Sequence, residues 1–339
     1  MASMQFTKAF ATAAASFFRP AAAAITPSSY ITIMHRSKSS SSVDERFGSP
    51  IITVGELLQR ALVVRREICQ DDDGSAIPSF IFDSTQLAYH RSSYDMNLLD
   101  DDRRISINNR SVKRGFCNWL IPQRIMIGQY PGKTPEINGP SSMECRIHIQ
   151  NMVQDAKINM FCCLQTEVPP QDDDFRWGGG GEIYLEPMSL RREFPRPFTR
   201  YGPVAQKFST SSAPLVFCHS PIEDLSTPSC DGNLLLLLST LLHHLESDAN
   251  NTLYLHCWGG RGRAGLIGGL LVSLLFPELS SQQVLQFVQD GYDTRQGSKL
   301  MHSGLRKSPQ TEQQREFVRE FVTLVKDVSK KERKTEYNS

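Results

Sequence analysis

His256-Cys257-Trp258-Gly259-Gly260-Arg261-Gly262-Arg263-Ala264-Gly265 sets a cysteine six residues ahead of an arginine across a glycine-rich turn. The apolar run Leu253-Tyr254-Leu255 precedes the stretch and the apolar run Leu266 to Phe276 follows it. The pattern predicts strand, loop, helix.

A loop joined to a helix N-terminus turns successive backbone N–H groups inward and adds the positive end of the helix dipole, so its hollow suits an anion. Gly259, Gly260 and Gly262 let the backbone curl closely around an oxyanion. Arg263 offers a planar fork to two phosphate oxygens at once. Cys257 sits at the base of this positive bowl, where the thiolate form is favoured. A thiolate beneath a bound phosphorus atom is a nucleophile. Trp258 and Arg261 belong to the same loop, and Arg261 falls at its mouth by position.

The stretch resembles the phosphate-binding loop of the protein tyrosine phosphatase superfamily, His-Cys-x-x-Gly-x-x-Arg-Ser/Thr-Gly, at every fixed position but Ala264. The resemblance implies that His256 fixes the loop through backbone hydrogen bonds. It also implies that a hydroxyl at the place of Ala264 helps discharge a cysteinyl-phosphate intermediate, so the alanine implies slow turnover. The family carries a general acid on a loop some thirty residues upstream of the cysteine. There the chain has Pro221-Ile222-Glu223-Asp224-Leu225-Ser226-Thr227-Pro228, similar to the acid loop of dual-specificity members related to the cyclin-dependent-kinase-associated phosphatase. Asp224 is the expected acid, with Glu223 its rival and Asp231 a distant third. Downstream, Gln310-Thr311-Glu312-Gln313-Gln314 resembles the segment whose final glutamine positions water, which makes Gln314 a supporting residue. A surface glutamine is the alternative.

Around the loop, short apolar runs alternate with helical ones. Strands are expected at Ile125 to Ile127, Ile158 to Leu164, Ile183 to Leu185, Leu215 to Phe217 and Leu253 to Leu255. Helices are expected after Ser141, whose spacing to Glu144 suits a capping box, over Leu234 to Leu245, over Leu266 to Phe276, and around Val284 to Val288, closed by Gly291. A last helix is expected to open with Ser308 as its cap and Pro309 in its first turn, burying Phe317, Val318, Phe321, Val322 and Val325. The alternation implies an α/β fold with a central, mostly parallel sheet flanked by helices, and the resemblance makes it a cysteine-based phosphatase fold.

Residues 113–328 are the expected phosphatase domain, followed by a charged tail at 329–339. The first 43 residues hold no Asp or Glu but include Lys8, Arg19, Arg36 and Lys38 among many Ala and Ser, the composition of an organelle transit peptide, mitochondrial or plastid. Without such targeting the chain would be cytoplasmic. Residues 44–112 read as a spacer or partner-docking extension, with an amphipathic helix over Val54 to Ile68. A net charge of +1 argues against a nucleic-acid binder, and no uncharged stretch is long enough to span a bilayer.

Eight cysteines without CxxC pairs indicate neither a zinc site nor a disulfide framework, and no metal or cofactor is required. Cys162, Cys163 and Cys218 read as small core residues. Some family members pair such a cysteine with the nucleophile under oxidation. The expected activity is hydrolysis of phosphomonoesters, on phosphotyrosine, phosphoserine or phosphothreonine of a protein. A phosphoinositide, inositol phosphate or glucan phosphate is the alternative substrate, favoured if Arg191, Arg192 or Arg261 face the pocket. A phosphate-binding pseudophosphatase is the non-catalytic alternative. A sulfur transferase is disfavoured by the spacing of Gly260 and Arg263. The oligomeric state stays open.

Overall fold

In the computed structural model, the described residues are 52–69, 77–99, 106–136, 139–167, 182–184, 198–210, 215–301 and 303–337. Seven strands form one sheet: β1 (Ala88–Leu99), β2 (Ser106–Ile121), β3 (Ile125–Gln129), β4 (Met160–Gln165), β5 (Glu182–Tyr184), β6 (Val216–Ile222) and β7 (Leu253–Cys257). Their order is β1-β2-β3-β7-β4-β6-β5. The first three are antiparallel neighbours, and from β3 to β5 every pairing is parallel. The mostly parallel α/β sheet expected from the alternating pattern is the one observed.

β3, β4 and β7 are buried along their whole length, as parallel strands covered on both faces must be. The covering helices are α1 (Val54–Cys69), α2 (Ser142–Gln150), α3 (Gly202–Phe208), α4 (Asp231–Ser247), α5 (Arg263–Leu275), α6 (Ser281–Asp293) and α7 (Glu312–Tyr337). Every residue of α5 is buried. Apolar on all sides, it can only be the central helix, and it packs against α1, α6 and α7. The Ser141–Glu144 capping box is formed in both directions, and Ser280 with Gln283 makes a second one at the start of α6.

Residues 54–69 and 88–99 are packed into the domain and do not run beside it as a spacer. α1 buries Leu57, Ala61 and Val64 completely. Arg60 pairs with Glu246 on α4, and Arg65 Nη1 meets Glu278 Oε2 at 2.8 Å beyond α5. β1 extends the sheet beyond β2. Two helix limits also differ from expectation. Gly291 does not end α6, which runs to Asp293: the glycine stands where a Cβ would come 2.7 Å from Asn118 Nδ2, so its role is close packing. The last helix opens at Glu312 and not at Ser308, with the Thr311 hydroxyl accepting from Gln314 N at 3.2 Å in the manner of an N-cap. It continues to Tyr337, through most of the expected tail. Residues 1–43, expected to be a transit peptide, together with Asp71 to Asp73, Asp100 to Asp102, and Arg191 with Arg192, lie outside the described residues.

Candidate active site

Parallel strands present their carboxyl ends along one edge, and loops leaving neighbouring strands converge there. Three adjacent strands do so here. β7 ends on Cys257, β4 leads to Glu167, and β6 leads through Ile222 to Asp224.

The loop from Cys257 to Arg263 is held by its carbonyls. Arg295 Nη2 donates to Gly260 O at 2.8 Å and to Ile127 O at 3.0 Å, with its Nε fixed on Asn118 Oδ1 at 2.7 Å. Ser308 Oγ donates to Arg261 O at 2.9 Å, and Arg114 Nη2 reaches Gly259 O at 3.5 Å. These contacts engage the carbonyls of three successive loop residues, Gly259, Gly260 and Arg261, and so fix the curl of the loop ahead of the α5 N-terminus, a setting that suits an oxyanion. Gly260 has φ of +65°, and a Cβ there would meet Gly128 C at 2.0 Å, so no other residue fits. Arg114, Arg295 and Ser308 in this role carry no local sequence signal. Each is recognisable only once the fold brings it to the loop.

Arg263 is the first residue of α5 and is only 2% exposed. Its Nη1 donates to Glu167 Oε2 at 2.6 Å and to Ile222 O at 3.1 Å, and its Nη2 stands 3.1 Å from Asp224 Oδ1. Burial works against its charge, but the Cys257 sulfur, Glu167 and Asp224 outweigh burial and its pKa ends above the ordinary guanidinium value. Glu167, itself buried, was missed in the sequence because its partner lies 96 positions away. Cys257, Arg263 and Asp224 are therefore brought together, with Asp224 half open to solvent at 56% side-chain exposure. Glu223 is exposed on the same loop. Asp231 begins α4, where partial burial raises its pKa.

His256 is fully buried. Its Nε2 lies 2.7 Å from the Tyr201 hydroxyl, and its Nδ1 has no hydrogen-bond partner, so the expected backbone bonds to the loop are replaced by a bond to a tyrosine on the neighbouring segment. Burial, reinforced by His219, Arg263 and His148, holds its pKa well below the usual imidazole value. Gln314 is fully buried as well, which removes the surface-glutamine alternative. Its Oε1 accepts from Gln310 N at 3.1 Å and Thr311 N at 3.2 Å, and its Nε2 donates to Ser226 O at 2.9 Å. With the Thr311 hydroxyl on Leu225 O at 3.3 Å, it ties α7 to the loop that carries Asp224. These bonds make the side chain a clasp on the loop that carries Asp224 and leave its Nε2 a second N–H to donate. Leu225, next to Asp224, has φ of +62°, a conformation that leucine adopts only when its surroundings enforce it.

Trp258 Nε1 donates to Glu136 Oε1 at 2.7 Å, and its ring stands edge-on to Phe198 at 5.1 Å, forming a wall at the mouth. Cys162, Cys163 and Cys218 are buried free thiols on β4 and β6. Burial raises the Cys163 thiol above its ordinary range, and Arg263 and the Cys257 sulfur act on it as neighbours. Among the described residues no cluster of His, Cys, Asp and Glu could hold a metal ion, and no helix is long and apolar enough to cross a membrane.

Residues 198–318 match the family described as "PTP-SAK: Swiss Army Knife protein, DSP-PTPase phosphatase domain". Similar solved structures include Tk-PTP in its active form, at 15% identity and a TM-score of 0.37 over 61% of this chain and 96% of that one. Kinase associated phosphatase with serine in place of its catalytic site cysteine gives 14% and 0.39 over 64% and 98%. The protein tyrosine phosphatase TbPTP1 of Trypanosoma brucei gives 12% and 0.38 over 80% and 92%. No curated protein matches the sequence. The family match supports a phosphatase domain of the dual-specificity branch of the protein tyrosine phosphatase superfamily.

Proposed function

We propose, taking residues 198–318 as a phosphatase domain of the dual-specificity type, that the chain hydrolyses phosphomonoesters through a cysteinyl-phosphate intermediate. Protein phosphotyrosine, phosphoserine or phosphothreonine is the substrate first expected. The observation that carries the reading is Arg263, buried between Glu167 and Asp224 at the end of the loop that begins with Cys257.

In the first step the Cys257 thiolate attacks phosphorus, and an S–P bond forms as the P–O bond to the leaving group breaks. Asp224 gives its proton to the departing oxygen, which would otherwise leave as a costly alkoxide or phenolate. Arg263 and the loop amides hold the equatorial oxygens, whose charge they match throughout the transfer. In the second step water attacks phosphorus, Asp224 takes its proton, the S–P bond breaks, and inorganic phosphate leaves with the thiolate restored. Both steps use this chain's own side chains.

The test is hydrolysis of aryl phosphates that differ in leaving-group pKa. Cys257→Ser should abolish turnover, and Asp224→Ala should depress the rate most for poor leaving groups. Full activity of Cys257→Ser would remove the mechanism. Ala264 favours a second reading, a binder that discharges its intermediate too slowly to be a useful catalyst; tight phosphate-ester binding without turnover would select it.

A further inference from the structure

The phosphate loop has two more arginines beside it than the proposed reaction uses. A Cβ placed on Gly259 would lie 3.6 Å from Arg261 Nη1 and 3.8 Å from Arg114 Nη2, so two guanidinium groups flank one loop residue, two positions after the nucleophile. One comes from the loop itself and the other from β2, at the antiparallel side of the sheet. Burial lowers the Arg261 pKa and Arg114 adds to that shift, with Tyr292 opposing it, whereas against burial Tyr94, Tyr292 and Glu136 hold Arg114 above its ordinary value.

Like charges gathered at a site normally bring a carboxylate with them. Three buried arginines elsewhere in the described residues have one: Arg65 has Glu278, Arg124 has Glu67 and Arg263 has Glu167, while Arg295 is held by neutral acceptors and grips the loop itself. Among the described residues neither Arg114 nor Arg261 takes part in an ion pair, although Glu136 is near enough to raise the Arg114 pKa. The nearby carboxylate, Glu136, is drawn to the Trp258 Nε1 and the Thr134 hydroxyl. The bonds these two arginines do make are long and to neutral acceptors: Arg114 to the Tyr94 hydroxyl at 3.2 Å and Gly259 O at 3.5 Å, Arg261 Nε to Gln310 Oε1 at 3.2 Å, with Tyr292 as a further neighbour. A guanidinium carries five donors, so each keeps N–H groups to offer.

Resting on the proposed phosphatase reading, we infer that Arg114 and Arg261 form a second anion subsite, which takes a second phosphate of the substrate while the first sits over Cys257. Because the pair stands against the loop itself, the two phosphates must be close together in a small molecule. That fits phosphates on neighbouring hydroxyls of a polyol, either a free inositol bisphosphate or the same headgroup on a lipid. Sites on separate side chains of an extended peptide are spaced more widely.

The experiment compares an inositol bisphosphate with vicinal phosphates, its monophosphate, and a doubly phosphorylated peptide, first as ligands of the full-length Cys257→Ser protein by calorimetry. The bisphosphate should bind at least about tenfold more tightly than the monophosphate, and Arg114→Met in that background should erase the difference, with Arg114→Lys restoring part of it. Thermal unfolding of each variant verifies folding. Equal affinity for mono- and bisphosphate, or a preference for the peptide, overturns the inference. Turnover is then measured for the free bisphosphate and for phosphatidylcholine vesicles containing a phosphatidylinositol bisphosphate, and the higher kcat/KM identifies the source. Binding without any turnover would instead overturn the catalytic reading and leave the subsite standing.

Discussion

The Glu167 carboxylate sits 2.6 Å from Arg263 Nη1, and neither side chain is more than 5% exposed. A guanidinium so placed cannot swing away from the loop without leaving a carboxylate unpaired in the interior. Glu167→Gln keeps the shape and removes the charge. It should cost about 3 kcal/mol of stability by chemical denaturation and lower kcat/KM on an aryl phosphate by tenfold or more, since breaking a buried pair leaves its partner uncompensated. An unchanged kcat/KM would show that Asp224 and Ile222 O are enough to orient Arg263.

Gln314 and Thr311 reach the loop that carries Asp224 at Ser226 O and Leu225 O. If they hold Asp224 in place, Gln314→Ala should slow hydrolysis of esters with poor leaving groups by about tenfold while sparing activated aryl esters, because only the former depend on the proton donor. Loss that is uniform across leaving groups would mean that the clasp supports the phosphate loop instead.

Ala264 lies fully buried in the first turn of α5. The resemblance to the tyrosine phosphatases implies a hydroxyl here, and Ala264→Ser supplies one with little change in volume. Rapid-mixing experiments should show a burst of leaving group in the native protein and a smaller burst with a faster steady state in the variant. Identical bursts in both would place the slow step elsewhere.

Two buried histidines and one half-buried histidine couple folding to pH. Burial, with Arg295 as a further cause, lowers His148 to about 3; burial, with Arg124 and His243, lowers His244 to about 4; and His256 is well below the ordinary value. In the unfolded chain each would take a proton near pH 6.5. The unfolded state thus binds more protons below that point, and stability should fall as pH drops from about 6.5 toward 3, by about 1.4 kcal/mol per pH unit for each histidine in the window. His148 stacks on Phe116 at 4.1 Å, so His148→Gln should destabilise at neutral pH but give a shallower acid slope in urea titrations. A slope as steep as that of the native protein would contradict the assignment.

The central sheet and its helices were legible because β3, β4 and β7 are continuous apolar runs and α5 is an uninterrupted one. β1 was not, since Ser92 and Tyr94 face inward among Arg91, Ser93 and Asp95, too weak an alternation to stand out on an edge strand. Ser308 reads as a helix cap beside Pro309, yet its hydroxyl is spent on Arg261 O and Thr311 caps the helix. Cys257, Arg263 and the loop glycines are contiguous and so declare themselves. Glu167, Arg295 and Arg114 act across distances that only the fold closes, and no local pattern marks them.

Several residues that shape the hollow follow it in the chain: Arg295 and Ser308 grip its carbonyls, and Gln314 fastens the neighbouring loop. A nascent polypeptide therefore exposes its sulfur well before it can hold an anion. Synthesis must proceed past the start of the final helix before the protein gains its ability to capture substrate, and a chain truncated before Arg295 would retain the nucleophile without the cup around it.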